Sequence, residues 1–130
     1  MGPFEENGAE RRRSSNQPRM NRTAYLLDVT QEECAETAHR ASKAARFGLD
    51  EIQPGQPFSN SDRLMHEYAH LVALIRMLEK DGLVRYPDDF EKQVAAKEEK
   101  VERFLLYSAK CGILLEADEE PRAPAPAAAL

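Results

Sequence analysis

Two short clusters of side chains in this sequence have the types and spacing to hold a divalent cation. Glu32, Glu33 and Glu36 fall within five residues. On a helix Glu33 and Glu36 share one face a turn apart, and Glu32 stands beside Glu36 at i,i+4. Like charges so placed repel by about 0.2–0.5 kcal/mol, which a helix carries without compensation only on a fully solvated face. Glu67 and His70 repeat the i,i+3 spacing further along. Helix pairs in bundles build metal sites from ExxE and ExxH pairs that project inward, and carboxylate oxygens suit Mg²⁺ or Mn²⁺. Charged residues make up 32% of the chain, so a single pair is ordinarily a solvated face. Two pairs on consecutive elements make a stronger case.

Such a site needs two helices that meet. From Thr23 to Phe47 there is neither proline nor glycine, and Ala24, Leu27, Cys34, Ala38, Ala41 and Ala45 recur at helical spacings. Gly48 follows, where a left-handed residue commonly ends a helix. Pro54, Gly55 and Pro57 then break the periodicity. Ser59-Asn60-Ser61-Asp62 supplies capping side chains and an acidic first turn for a second helix. Its stripe is Leu64, Tyr68, Leu71, Ile75 and Leu78, with Lys80 and Gly82 at its end. This places Glu67 and His70 at the edge of the helix–helix seam. Pro87, Asp88 and Asp89 open a third helix in which Phe90, Val94, Val101, Leu105 and Ser108 share a face before Gly112. No segment alternates with period two and no internal repeat is visible. The expectation is an all-α chain, an antiparallel helical bundle of three main helices completed by oligomerisation.

The 130 residues suffice for one modest domain. Residues 1–20 carry the run Arg11-Arg12-Arg13 and few large apolar side chains, and residues 116–130 are acidic and then Pro/Ala-rich. Both tails are expected to be disordered, because neither buries enough apolar surface to offset the entropy of ordering. Met20 is a second possible start, which would make residues 1–19 an upstream extension. The folding unit is then 21–115, small enough that association with further copies is expected. A net charge of −5 argues against a dedicated nucleic-acid binder, and the arginine run reads as a solvated tail. Two cysteines, Cys34 and Cys111, form no disulfide framework and no CxxC pair; Cys34 is expected as a small packed hydrophobe. The apolar run Leu71–Ile75 is too short to span a bilayer, and no secretory leader is recognisable. The expected location is the cytoplasm.

Three segments together resemble a known family. Glu32-Glu33-x-x-Glu36 followed by Glu67-x-x-His70 is similar to the EExxE…ExxD signature of MazG-like nucleoside triphosphate pyrophosphohydrolases, an all-α superfamily. Ala41-Ser42-Lys43-Ala44-Ala45-Arg46-Phe47-Gly48 resembles the SKxxRFG segment of small phage and bacterial members. The stretch from Lys97 to Ser108, KEEKVERFLLYS, resembles their KxxKVxRFLxYS helix, with Gly112-Ile113-Leu114 after it. The resemblance implies Mg²⁺-dependent hydrolysis of a nucleoside triphosphate to monophosphate and pyrophosphate, a house-cleaning role in the nucleotide pool, and a dimer or tetramer. It implies Glu33, Glu36, Glu67 and His70 as metal ligands and Glu32 as the residue that orients or deprotonates the attacking water. Lys43, Arg46, Lys97, Lys100 and Arg103 would contact phosphates.

At His70 the sequence departs from that family, which has Asp there. A neutral nitrogen in place of an anionic oxygen lowers Mg²⁺ affinity and favours Mn²⁺, Zn²⁺ or Fe. A catalytically degenerate helical module of the same fold is therefore the alternative. The change also creates His66-Glu67-Tyr68-Ala69-His70, a literal HExxH, in which two histidines hold zinc and the glutamate acts as base. That reading needs a third ligand. His39 lies upstream, nothing singles out Asp88, Asp89 or Glu91, and no strand is expected to hold a peptide substrate.

Overall fold

The computed structural model describes residues 18–115. These contain three helices, α1 (Arg22–Phe47), α2 (Asn60–Lys80) and α3 (Phe90–Lys110), and no strand. The all-α expectation holds for the described residues. The tails expected to be disordered lie outside them, except for 18–20, which are non-helical. The chain divides into two compact units, one ending at Arg85 and the other beginning at Tyr86.

The first unit is an antiparallel hairpin of α1 and α2. At its open end the Arg22 guanidinium reaches the Asp81 carboxylate at 2.7 Å, and that contact raises the arginine's pKa further above its ordinary value. At its closed end Asn60 Nδ2 donates to the Gly48 carbonyl at 2.9 Å. Both helices begin where a side chain takes an orphan backbone donor. Asn21 Oδ1 accepts from Ala24 N at 2.8 Å, and Ser59 Oγ accepts from Asp62 N at 3.1 Å. Gly48 ends α1 with φ 98° and ψ 149°, its N–H on the Ala44 carbonyl. The positive φ is as expected, but ψ is extended, a combination essentially restricted to glycine. It swings the chain into the connection that Asn60 then fastens.

The seam between α1 and α2 differs from the stripe read off the sequence. Its buried apolar residues are Leu26, Ala44 and Leu78. On α1 the face turned to α2 runs Leu26, Thr30, Glu33, Thr37, Arg40, Ala44, at alternating spacings of four and three. Leu27, Cys34, Ala38, Ala41 and Ala45 are exposed instead. Cys34 is therefore an exposed free thiol rather than a packed hydrophobe. The physical reason lies in the polar seam residues. Thr30 Oγ1 donates to the Leu26 carbonyl at 2.7 Å and Thr37 Oγ1 to the Glu33 carbonyl at 2.7 Å. These hydroxyls are satisfied within the helix, which lets the two threonines be half-buried. On α2, Tyr68 is 51% exposed, and Glu67, expected at the edge of the seam, is instead half-buried like Leu64 and Leu71.

The second unit contains α3. Its N-cap Asp89 makes no backbone cap bond and accepts instead from Gln93 Nε2 at 2.9 Å. Tyr86 and Phe90 pack edge to face with centroids 5.1 Å apart. A single helix encloses no core, and none of its residues is buried. Phe90, Val94, Val101 and Leu105 all remain exposed, with Ser108 half-buried.

Candidate metal centre

The seam position of Glu33 on α1 and Glu67 on α2 brings two carboxylates together across the hairpin. His70, one turn beyond Glu67, closes the group from the rim. One ligand atom from each of Glu33, Glu67 and His70 lies within 4.8 Å of the others. His70 Nδ1 is 3.3 Å from Glu67 Oε2 and 3.5 Å from Glu33 Oε2. The carboxylates are mostly withdrawn from solvent, with side chains 18% and 21% exposed against 59% for His70. The group is thus reached from one side, past the imidazole.

The electrostatics follow from that enclosure. Burial pushes the Glu33 carboxyl above the usual carboxylate range. The adjacent Glu67 carboxylate and the negative charge of Glu32 add to the effect, while His70 opposes it. Glu33 Oε2 is moreover buried without a hydrogen-bond partner. A buried acceptor left unmatched, next to a second carboxylate, is a place where a cation would be bound favourably. Two carboxylate oxygens and an imidazole nitrogen form a donor set that fits Mn²⁺ well and Mg²⁺ less well.

The other expected residues are placed as follows. Glu36 is half-buried on α1, one turn beyond Glu33, and Glu32 is exposed; neither belongs to the converging group of three. Lys43 and Arg46 flank the Phe47 ring at 5.5 Å and 5.4 Å. Lys43 and Phe47 line a shallow pocket of about 220 Å³ with Glu51, Gln53 and Asn60. Lys97, Lys100 and Arg103 lie on α3 in the second unit. Lys100 sits 6.0 Å from the Phe104 ring centre, and Arg103 pairs with Glu99 at 3.3 Å. His66 packs edge to face on Phe58 at 4.9 Å and is not part of the converging group, so no contact here favours the HExxH reading.

Sequence reasoning passed over two residues. Asn60 is 2% exposed; it was read only as one of several capping side chains, yet it ties Gly48 to Glu51 Oε2, the latter at 2.7 Å. Arg40 lies on the seam with Nη1 buried and unpartnered. Its position two turns after Glu33 was the available signal. No family model, curated protein or solved structure matches the chain.

Proposed function

We propose that the α1–α2 hairpin is a divalent-cation site serving the hydrolysis of a nucleoside triphosphate to monophosphate and pyrophosphate. The observation that carries this reading is the convergence of Glu33, Glu67 and His70 within 4.8 Å. The reaction itself is taken from the resemblance to MazG-like pyrophosphohydrolases. A bound Mg²⁺ or Mn²⁺ supplies neutralisation of phosphate charge and a lowered water pKa. Glu33 and Glu67 hold the cation from opposite helices, and His70 completes the set at the solvent side. Glu36, one turn along, is the further carboxylate, and Glu32 is the residue assigned to proton transfer. Lys43 and Arg46 offer cations toward the end of α1. The location proposed with it is the cytoplasm, where nucleoside triphosphates are abundant.

We also propose that the protein works as a homo-oligomer. Tyr25, Leu27, Met65 and Tyr68 of the hairpin are large apolar or aromatic side chains left exposed, and a second copy of the chain would cover some of them. Light scattering that returns a monomer would overturn this.

The test of the activity is a matrix of common ribo- and deoxyribonucleoside triphosphates against Mg²⁺ and Mn²⁺, read by pyrophosphate release. Turnover of at least one nucleotide, abolished by Glu36→Gln and by Glu67→Gln, is expected. Absence of turnover across the whole matrix overturns the reading. One observation favours a second reading, a degenerate module. His70 Nδ1 lies within 3.5 Å of both carboxylates, so the imidazole can serve them as a hydrogen-bond partner in place of a cation. Activity that appears only in His70→Asp would establish that second reading.

A further inference from the structure

Two side-chain atoms among the described residues are buried without a hydrogen-bond partner, Glu33 Oε2 and Arg40 Nη1. They belong to the same face of α1. Their residues are seven apart, two turns, or roughly 10 Å of helix rise. The two atoms have opposite needs. A carboxylate oxygen accepts and calls for a cation, whereas a guanidinium nitrogen donates and calls for an acceptor. A guanidinium offers donors only and has no acceptor atom of its own.

Two other arginines among the described residues find carboxylates, and the rest, like Arg40, are in none of the ion pairs. Arg22 reaches Asp81 at 2.7 Å and Arg103 reaches Glu99 at 3.3 Å. Arg40 has Glu36 one turn before it on its own helix, yet none of the ion pairs among the described residues includes it. Arg40 as a whole is half-buried, and Nη1 is its buried end. Lys43 is the next half-buried residue on the same line. The seam thus passes from acids at Glu33 and Glu67 to cations at Arg40 and Lys43.

We propose that Arg40 is the anion-recognition residue of this site, binding a phosphoryl oxygen of a polyphosphate whose other end is held with the cation at Glu33, Glu67 and His70. The proposal rests on the cation reading for one of its two ends. A planar guanidinium suits a phosphate because two parallel N–H bonds can form to it. The ligand is a linear polyphosphate, either free or as part of a nucleoside triphosphate, laid along α1 toward its C-terminal end.

The test is titration calorimetry of the full chain with inorganic tripolyphosphate, with and without Mn²⁺, alongside a nucleoside triphosphate and Mn²⁺ alone. The proteins are wild type, Arg40→Gln, Arg40→Lys and Arg40→Met, each checked for helix content by circular dichroism. Arg40→Gln and Arg40→Met are expected to weaken tripolyphosphate binding about tenfold or more, with Arg40→Lys partly restoring it. Mn²⁺ affinity should be unchanged in all three. Folded Arg40→Gln that binds tripolyphosphate as tightly as wild type overturns the proposal. Should wild type fail to bind Mn²⁺, the cation reading falls, and the metal-free titration still decides Arg40. Arg40-dependent binding there upholds the anion site, and no binding overturns it. A nucleoside triphosphate that binds more tightly than tripolyphosphate assigns the nucleotide as ligand, and equal affinity assigns the polyphosphate alone. If Arg40→Gln and Arg40→Lys unfold, retained tripolyphosphate binding by folded Arg40→Met serves as the overturning result.

Discussion

Asn60 and Glu33 are polar residues enclosed by the same two helices, and their surroundings treat them in opposite ways. Asn60 sends its amide hydrogens to the Gly48 carbonyl at 2.9 Å and to Glu51 Oε2 at 2.7 Å, and its backbone N–H goes to the Glu51 carbonyl at 3.0 Å. Glu33 stands beside another carboxylate with one oxygen unpartnered. A satisfied buried polar group fixes a conformation, here the turn after Gly48. An unsatisfied one opposes the isolated fold and is relieved by something from outside. The loop end of the hairpin is therefore fastened, whereas its middle keeps an unmatched acceptor, where we propose binding.

That contrast can be broken by substitution, and the largest effect is expected at the middle. Glu67→Gln should weaken Mn²⁺ binding by about 100-fold, the upper range found for residues that merely orient a ligand. Calorimetry that shows unchanged affinity would remove Glu67 from the site. Next, Asn60→Ala should destabilise the chain by about 1–3 kcal/mol in urea unfolding, because it strands the Gly48 carbonyl and the Glu51 carboxylate. It should leave Mn²⁺ binding intact. A loss of metal affinity in Asn60→Ala would mean that the two regions are not separate in function.

A third substitution sharpens the rim. His70→Asp should raise Mg²⁺ affinity relative to Mn²⁺, since an oxygen ligand and one more negative charge favour the harder cation. An unchanged ratio would show that His70 does not coordinate. A smaller effect is expected from pH on the metal-free protein. The Glu33 pKa is raised by burial and by Glu67, so the folded chain binds that proton more tightly than the unfolded chain. Stability from this group is complete below the ordinary carboxylate pKa and is lost as pH rises through the folded value. With a chelator present, Glu33→Gln should melt higher than wild type at neutral pH, and the gap should close as the pH falls below the carboxylate range. Wild type melting higher than the variant throughout would contradict the enclosure of Glu33. The smallest effect belongs to the exposed Cys34. Cys34→Ser should change stability by less than about 0.5 kcal/mol, whereas a packed thiol would register.

Much of the local structure was legible beforehand. Ser59, Gly48, Gly82 and Gly112 mark helix boundaries through backbone needs that depend on near neighbours in sequence. The ExxE and ExxH spacings likewise place Glu33 with Glu36 on α1 and Glu67 with His70 on α2. The inward face of α1 was not legible. Alanines dominate its apolar count, and alanine is indifferent to burial while favouring helix anywhere. The true seam carries Thr30, Glu33, Thr37 and Arg40, which a hydrophobicity pattern assigns to solvent.

The opening pairs of acids and histidine were thus fixed by sequence as helical neighbours, Glu33 with Glu36 and Glu67 with His70. Which of them meet was decided by the rotation of α1 against α2. That rotation goes with the burial of Leu26, Ala44 and Leu78 and with the fastening of Gly48 to Asn60, which belong to different helices or helix ends. It selected Glu33, Glu67 and His70 as the converging group. It also drew Arg40 into the seam, because a helix turned to present Glu33 inward presents the residue two turns later on the same side.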